Sequence, residues 1–474
     1  MPPLVAPDLV LARLVVERGL GLVYAIAFLV ALRQFPPLLG ERGLLPVPAF
    51  VRAVPFRSAP SLFQLAYSDR LLRAVAGLGL LLALAVIAGI PDRLPLPAAV
   101  AVWVALWALY LSIVNVGQTF YAFGWETLLC EAGFLAIFLG PASVGPPLPI
   151  LYLFRWLVFR VEFGAGLIKL RGDRCWRDLT CLSYHHETQP MPNPLSWYVH
   201  HLPRAFHRLE ALGNHVAQLV VPWLLFAPQP VASLAALTII LTQSWLVLSG
   251  NFAWLNLITI VLACAAVDDA SLGRVLPRPE AVVPLPLPFA VLVGAATILV
   301  VLLSYRPARN LLSSRQLMNS SFDPLHLVNT YGAFGSVTKT RHEVVIEGTV
   351  DPRPEPASEW REYAFKAKPG DVRRRPPQYA PYHLRLDWLM WFAAFSSPAY
   401  HEWFLPLLVK LLEHDPAVRA LLASDPFPGR PPTAVRARLY RYRFTTPAER
   451  RASGAWWVRS FVREYLPPIT LRPD

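Results

Sequence analysis

Leu285-Pro-Leu-Pro-Phe-Ala-Val-Leu-Val-Gly-Ala-Ala-Thr-Ile-Leu-Val-Val-Leu-Leu-Ser304 runs without one charged side chain, and Tyr305-Arg-Pro-Ala-Arg309 follows at once. Coiled as helix at about 1.5 Å per residue, such a run covers the roughly 30 Å of a bilayer's hydrocarbon. Upstream of it similar runs recur; downstream they stop. They predict spans near Leu9–Leu32, Leu71–Ile90, Ala98–Val116, Trp125–Gly140, Leu148–Leu170, Leu212–Ala227, Val231–Ser249 and Phe252–Val267, so that about nine helices cross the membrane. Pro36-Pro37, Pro91, Pro146-Pro147, Pro228 and Pro284 fall at the junctions, where a helix can stop and water can satisfy the backbone. Composition agrees: of 474 residues, 55% are hydrophobic and 16% charged, far more apolar surface than one water-soluble core needs. Glu17 and Arg18 lie inside the first run, which lacks a basic n-region and a small-residue cleavage site, so a retained span is expected rather than a signal peptide.

Lysine and arginine total 44 against 31 aspartates and glutamates, a net charge of +13. Contact with anionic membrane lipids accounts for that excess, and with no nucleic-acid-binding motif beside it no nucleic-acid partner is expected. The chain divides into a polytopic transmembrane domain, 1–305, with a His- and Trp-rich loop over 169–212, and an extramembrane α+β domain, 306–474. In the latter, Gly335–Val350, Trp360–Lys368 and Arg436–Phe444 read as strands. The last of these alternates basic with apolar residues at period two. Asp387–Phe395 and Glu402–Leu422 have helical spacing, and an antiparallel sheet packed by a few helices follows.

The loop after Lys169 mixes Trp, Tyr, His, Arg and Asp more densely than a plain connector, which fits either side chains at head-group depth or a site. Its Lys169, His185, His186 and Glu187 are the candidates for general acid/base chemistry, since they join titratable groups to an expected cavity. Adjacent His185 and His186 do not share a helix face as the ligands of an HExxH motif do, so no metal is expected. Cys175 and Cys181, six apart in that loop, could pair in an oxidising compartment, while Cys130 and Cys264 fall in apolar runs as free thiols. Charges inside the membrane need partners. Glu126 and Glu131 in the fourth run face Arg155, Arg160 and Glu162 in the fifth, and at least one of the two glutamates is expected to pair with one of the two arginines. No nucleophile elbow, phosphate loop or dinucleotide fingerprint appears, and no internal repeat favours a transporter.

Asn329-Thr-Tyr-Gly-Ala-Phe-Gly-Ser-Val-Thr-Lys339, Tyr382-His-Leu-Arg-Leu-Asp-Trp-Leu-Met-Trp-Phe392, Asp425-Pro-Phe-Pro-Gly-Arg-Pro-Pro432, Cys175-Trp-Arg-Asp-Leu-Thr-Cys181 and Glu187-Thr-Gln-Pro-Met-Pro-Asn-Pro194 resemble the lipase maturation factor family. So do Trp125-Glu-Thr-Leu-Leu-Cys-Glu-Ala-Gly-Phe134 and Leu311-Leu-Ser-Ser-Arg-Gln-Leu-Met318, and the likeness runs in order from about Glu17 almost to the C-terminus. The resemblance implies a multipass protein of the endoplasmic reticulum membrane in animals, needed for secreted dimeric lipases to fold and assemble, whose C-terminal domain faces the lumen and meets the client. It implies no cofactor. The Arg-, Ala- and Pro-rich composition looks bacterial, which would put the chain in a plasma membrane, and Ala367 and Pro377 stand where the family has cysteines.

On this reading Trp176, Tyr184, Asn329, Tyr331, Phe334, Tyr382, His383, Arg385, Asp387 and Trp388 are expected to bind the client or a ligand. The loop should pack under the C-terminal domain around a shared cavity rimmed by His185, His186 and Arg385. An alternative is a membrane enzyme distantly similar in fold to vitamin K-dependent γ-glutamyl carboxylase, acting on a lipid or protein at the extracytoplasmic face. The arginines on that face, Arg42, Arg52, Arg57, Arg171, Arg174, Arg177 and Arg204, would make it cytoplasmic by the positive-inside rule, whereas the family resemblance makes it luminal or periplasmic.

Overall fold

A computed structural model describes residues 4–277, 282–355 and 357–471. Among them, five helices are long and apolar enough to cross a membrane: Pro7–Leu39, Asp69–Ile87, Leu96–Asn115, Val231–Ser249 and Leu287–Leu312. Their ends are set by the sequence. Leu96–Asn115, Leu148–Arg171 and Leu287–Leu303 each begin in a Pro-Leu-Pro triplet, so a proline fills the first turn where its missing N–H costs nothing. The first helix has no capping side chain of its own. Instead, the Asp269 carboxylate accepts from the amides of Val10 (3.1 Å) and Leu11 (2.9 Å), placing negative charge on the helix's positive end.

Several of the nine expected spans take other forms. The run from Trp125 makes a helix of only 13 residues, Gly124–Ala136, nearly all buried. At about 20 Å it is too short to cross and is enclosed by its neighbours instead. Leu148–Arg171 is long enough, with 24 residues, but carries Arg155, Arg160, Glu162 and Lys169, all buried. The run from Leu212 divides at Pro222 into an amphipathic helix, Arg204–Leu219, and a short turn, Val221–Leu224. That from Phe252 yields Leu255–Ala263 and a 3-10 turn, again too short. Pro36 and Pro37, expected to end the first helix, lie inside its last turn, and Gly40 closes it.

The C-terminal region carries one four-stranded antiparallel sheet, β1 (Arg341–Thr349), β2 (Arg361–Glu362), β3 (Ala434–Phe444) and β4 (Trp457–Ile469), in the order β2-β1-β3-β4. The expected strand at Trp360–Lys368 shrinks to two paired residues. β4 was not foreseen. It is an exposed edge, rich in charge and ending in Pro467-Pro468, so it lacks the alternation that marks a half-buried strand. Helices Arg385–Ala393 and Phe404–Leu412 pack on the sheet, and their Leu386, Trp388, Leu407 and Leu411 join one continuous core with the membrane helices.

Candidate functional site: the seam between the membrane half and the sheet domain

Glu126 and Glu131 both lie on the short buried helix. Five positions on an α-helix turn through roughly 140°, so the two carboxylates point to different partners. Glu131 is bound by Arg160 of the Leu148–Arg171 helix, as the sequence led one to expect. It also accepts from the Asn329 amide (3.0 Å), the Asn329 side chain (3.0 Å) and the Tyr331 hydroxyl (2.7 Å). Arg160 then donates to the Asn329 carbonyl at 2.6 Å. Gly164, one turn further along that helix, lets the chain lie this close: a Cβ there would sit 2.4 Å from the Tyr331 carbonyl oxygen.

Glu126 turns the other way and finds neither Arg155 nor Arg160. It meets Arg385 at 2.8 Å, with the His383 ring at 3.7 Å and the Tyr110 hydroxyl donating to its second oxygen. Arg385 also donates to the Phe120 carbonyl (2.6 Å) and lies over the Tyr121 ring, 3.4 Å from its centroid. Arg155 is left to the carbonyls of Leu225 (3.2 Å) and Ala265 (3.3 Å). Glu162 accepts from Gln218 and Gln243, and Lys169 donates to Asn214 and Gln218, both at 2.8 Å. One short helix thus grips two separate stretches of the C-terminal part, Asn329–Tyr331 and His383–Arg385.

The loop also packs against the domain. Cys175 and Cys181 are disulfide-bonded, with Cα atoms 4.9 Å apart. Asp173 accepts from the Val337 amide, and the Trp176 indole donates to the Phe334 carbonyl, each at 2.8 Å. The Glu187 carboxylate accepts from the Phe444 amide on β3 at 2.7 Å, and burial raises its pKa even so. Arg341 of β1 donates to the carbonyls of Glu187 and Pro190, both at 3.0 Å. His185 stacks on Phe252 and meets Phe334 edge-on, and burial, with His186 beside it, pushes its pKa down to about 3. His383 is likewise buried among Phe123, Trp125, Trp254 and Trp388, its pKa brought to about 4 by desolvation. The Asp387 carboxylate accepts from the amides of Ala367 (2.6 Å) and Lys368 (3.1 Å), tying its helix to the segment that follows β2.

Burial revises the expected roles. Trp176, Asn329, Tyr331, His383, Arg385, Asp387 and Trp388 are at most 4% exposed, whereas Tyr184, Phe334 and Tyr382 are half-buried. The expected cavity rim is closed too, with His185, His186 and Arg385 all buried and aromatic rings packed against one another where a client was to lie. Trp176, Asn329, Tyr331, His383, Arg385 and Trp388 spend contacts on joining the two halves, whereas Asp387 and His186 bond within their own half. Sequence reading missed three further contacts, the first two of them across the seam. Gln34 of the first helix donates to the His383 carbonyl (2.6 Å) and accepts from the Arg385 amide (3.0 Å). Asn251 accepts from the amides of Tyr379 and Ala380, each at 2.8 Å. Neither side chain stands in a pattern that sequence alone would mark. The third, His207 with Glu210, does: three apart on an amphipathic helix, they share a face. That face meets His186, whose Nε2 is 3.3 Å from the Glu210 carboxylate, with His207 Nδ1 3.5 Å from the same oxygen.

Residues 11–274 match the family profile described as the lipase maturation factor transmembrane domain, and 327–467 match the lipase maturation factor C-terminal domain. The chain belongs to the lipase maturation factor family. It is similar to lipase maturation factor 1 of Mus musculus, 44% identical over 97% of this chain and 87% of that protein, and to that of Homo sapiens, 44% identical over 97% and 88%. Lipase maturation factor 2 of Homo sapiens is 30% identical over 96% of this chain and 82% of its own. No solved structure matches, and the alternative of a carboxylase-like membrane enzyme is not favoured by these relatives. The Asn329–Tyr331 and His383–Arg385 stretches gripped by Glu131 and Glu126 fall in two of the motifs through which the C-terminal region resembles this lipase maturation factor family.

Proposed function

We propose that this chain is a membrane-embedded maturation factor for secreted lipases, which holds its sheet domain rigidly on the membrane half and offers the domain's outer surface to the client. The observation that carries the reading is the likeness to lipase maturation factors across 97% of the chain, spanning both halves joined at the seam. The Cys175–Cys181 disulfide supports an oxidising compartment, the endoplasmic reticulum lumen or its bacterial counterpart, for the loop and the domain packed on it. Leu148–Arg171 serves as a further crossing beside the five long apolar helices, because each of its buried charges has a partner within the bundle. The remaining crossings of a nine-span arrangement would have to come from paired short helices. Lipid head groups meet the basic flanks, and nucleic acid has no part. The test is co-expression with a dimeric secreted lipase in cells that lack a maturation factor. The ratio of lipase activity to secreted lipase mass should rise severalfold. An unchanged ratio with the chain well expressed would remove the reading.

A further inference from the structure

His186 lies on the Leu182–Thr188 helix, and His207 and Glu210 lie on Arg204–Leu219. Taking one donor atom from each, Nε2 of His186, Nδ1 of His207 and a carboxylate oxygen of Glu210 all fall within 4.8 Å of one another. Both histidines are 2% exposed. The second ring nitrogen of His207, Nε2, lies 3.4 Å from the His200 carbonyl. A carbonyl only accepts, so that nitrogen carries the proton, and in the neutral ring Nδ1 is left with a bare lone pair. Yet Nδ1 has no hydrogen-bond partner and faces a carboxylate oxygen at 3.5 Å, one acceptor aimed at another. A cation between them removes that conflict. The surroundings fit as well: the other Glu210 oxygen accepts from the Trp245 indole at 2.6 Å, and the His207 contact to a backbone carbonyl is the outer support that orients a ligating imidazole.

We propose that His186, His207 and Glu210 bind a borderline divalent cation of the zinc type. Two imidazoles and one carboxylate are the donor set such an ion takes when a fourth position stays open to water or an incoming group, whereas calcium and magnesium require mostly oxygen. The ion ties the disulfide loop to the amphipathic helix, away from the carboxylates at the seam.

The test uses the full chain purified in detergent, stripped with a chelator and titrated with Zn2+ against a chromophoric competitor, then with Co2+ while the visible spectrum is read. One equivalent should bind, Co2+ should give the strong visible absorption of a four- or five-coordinate centre, and Zn2+ but not Mg2+ should raise the thermal midpoint. E210Q and H207A should weaken Zn2+ binding at least tenfold. W245F, which removes only the outer hydrogen bond and leaves the ligands in place, should weaken it about tenfold and serves if the ligand variants fail to fold. A wild-type chain that takes up no Zn2+, or variants that bind it as tightly as wild type, would overturn the proposal. No lipase enters the experiment, so its failure is separate from that of the maturation reading.

Discussion

Glu131 accepts from an arginine, an amide, a carboxamide and a hydroxyl, and it is fully buried. A buried ion pair adds little over a well-packed apolar one, but removing one partner strands the other. E131A, which leaves Arg160 unpaired, should therefore lower stability by about 3–5 kcal/mol, read as a drop in the midpoint of thermal unfolding in detergent. A midpoint within error of wild type would show that Arg160 finds another partner. His383 gives a pH dependence. Its folded pKa of about 4 lies below the ordinary 6.5, so the unfolded chain binds the extra proton between those values. Stability is therefore full above about pH 6.5 and is lost as pH falls towards 4, by roughly 1 kcal/mol per pH unit within the window. The groups facing it are Glu126, which favours the protonated ring, Arg385, which opposes it, and four aromatic side chains, which withhold water. H383F should flatten the midpoint's fall between pH 6.5 and 5; an unchanged slope would assign that fall to other groups.

At the scale of elements, length and charge decided what the sequence could reveal. Long uncharged runs such as Val231–Ser249 and Leu287–Leu303 became helices close to their expected bounds, because nothing but hydrocarbon or other helices can surround them. Trp125–Gly140 reads as another span from its apolar run, with Glu126 and Glu131 expected to find their partners on the adjacent helix. Arg385, the charge partner of Glu126, and Asn329 and Tyr331, which donate to Glu131 beside Arg160, lie about two hundred residues or more away, beyond the reach of periodicity. The Glu131–Arg160 pair was legible, since both charges fall in neighbouring apolar runs. The Glu126–Arg385 pair was not, since Arg385 reads as part of a soluble helix. β3 showed itself by alternation, whereas β4 is exposed on most of its length and carries no such signal. At Gly164 the Leu148–Arg171 helix lies against the Tyr331 backbone. G164A places a Cβ 2.4 Å from a backbone oxygen that cannot rotate away, so it should push the helix away from the Asn329–Tyr331 segment and cost more than the small gain a helical Gly→Ala change normally brings. Faster amide exchange at Thr330–Gly332 would reveal the separation, and a stabilised variant would contradict it.

For the whole molecule, the buried contacts run without a break from the first membrane helix to the sheet, so the chain behaves as one body in which the domain's position is set by the seam. The loop adds to this. Its disulfide should keep Cys175 and Cys181 from alkylation until a reductant is added, while Cys130 and Cys264 are shielded by burial until unfolding. Immediate labelling of the loop in unreduced, folded protein would contradict the oxidised form. On the proposed function, lipase maturation depends on the clamp between the membrane half and the sheet domain. A double-mutant cycle on Glu126 and Arg385 reads this dependence, with the activity per mass of co-expressed secreted lipase as the readout and the amount of folded chain measured in parallel. E126Q and R385M should each lower that ratio, and the double variant should lose clearly less than the sum of the two. Additive losses, or full maturation by folded E126Q and R385M chains, would contradict it.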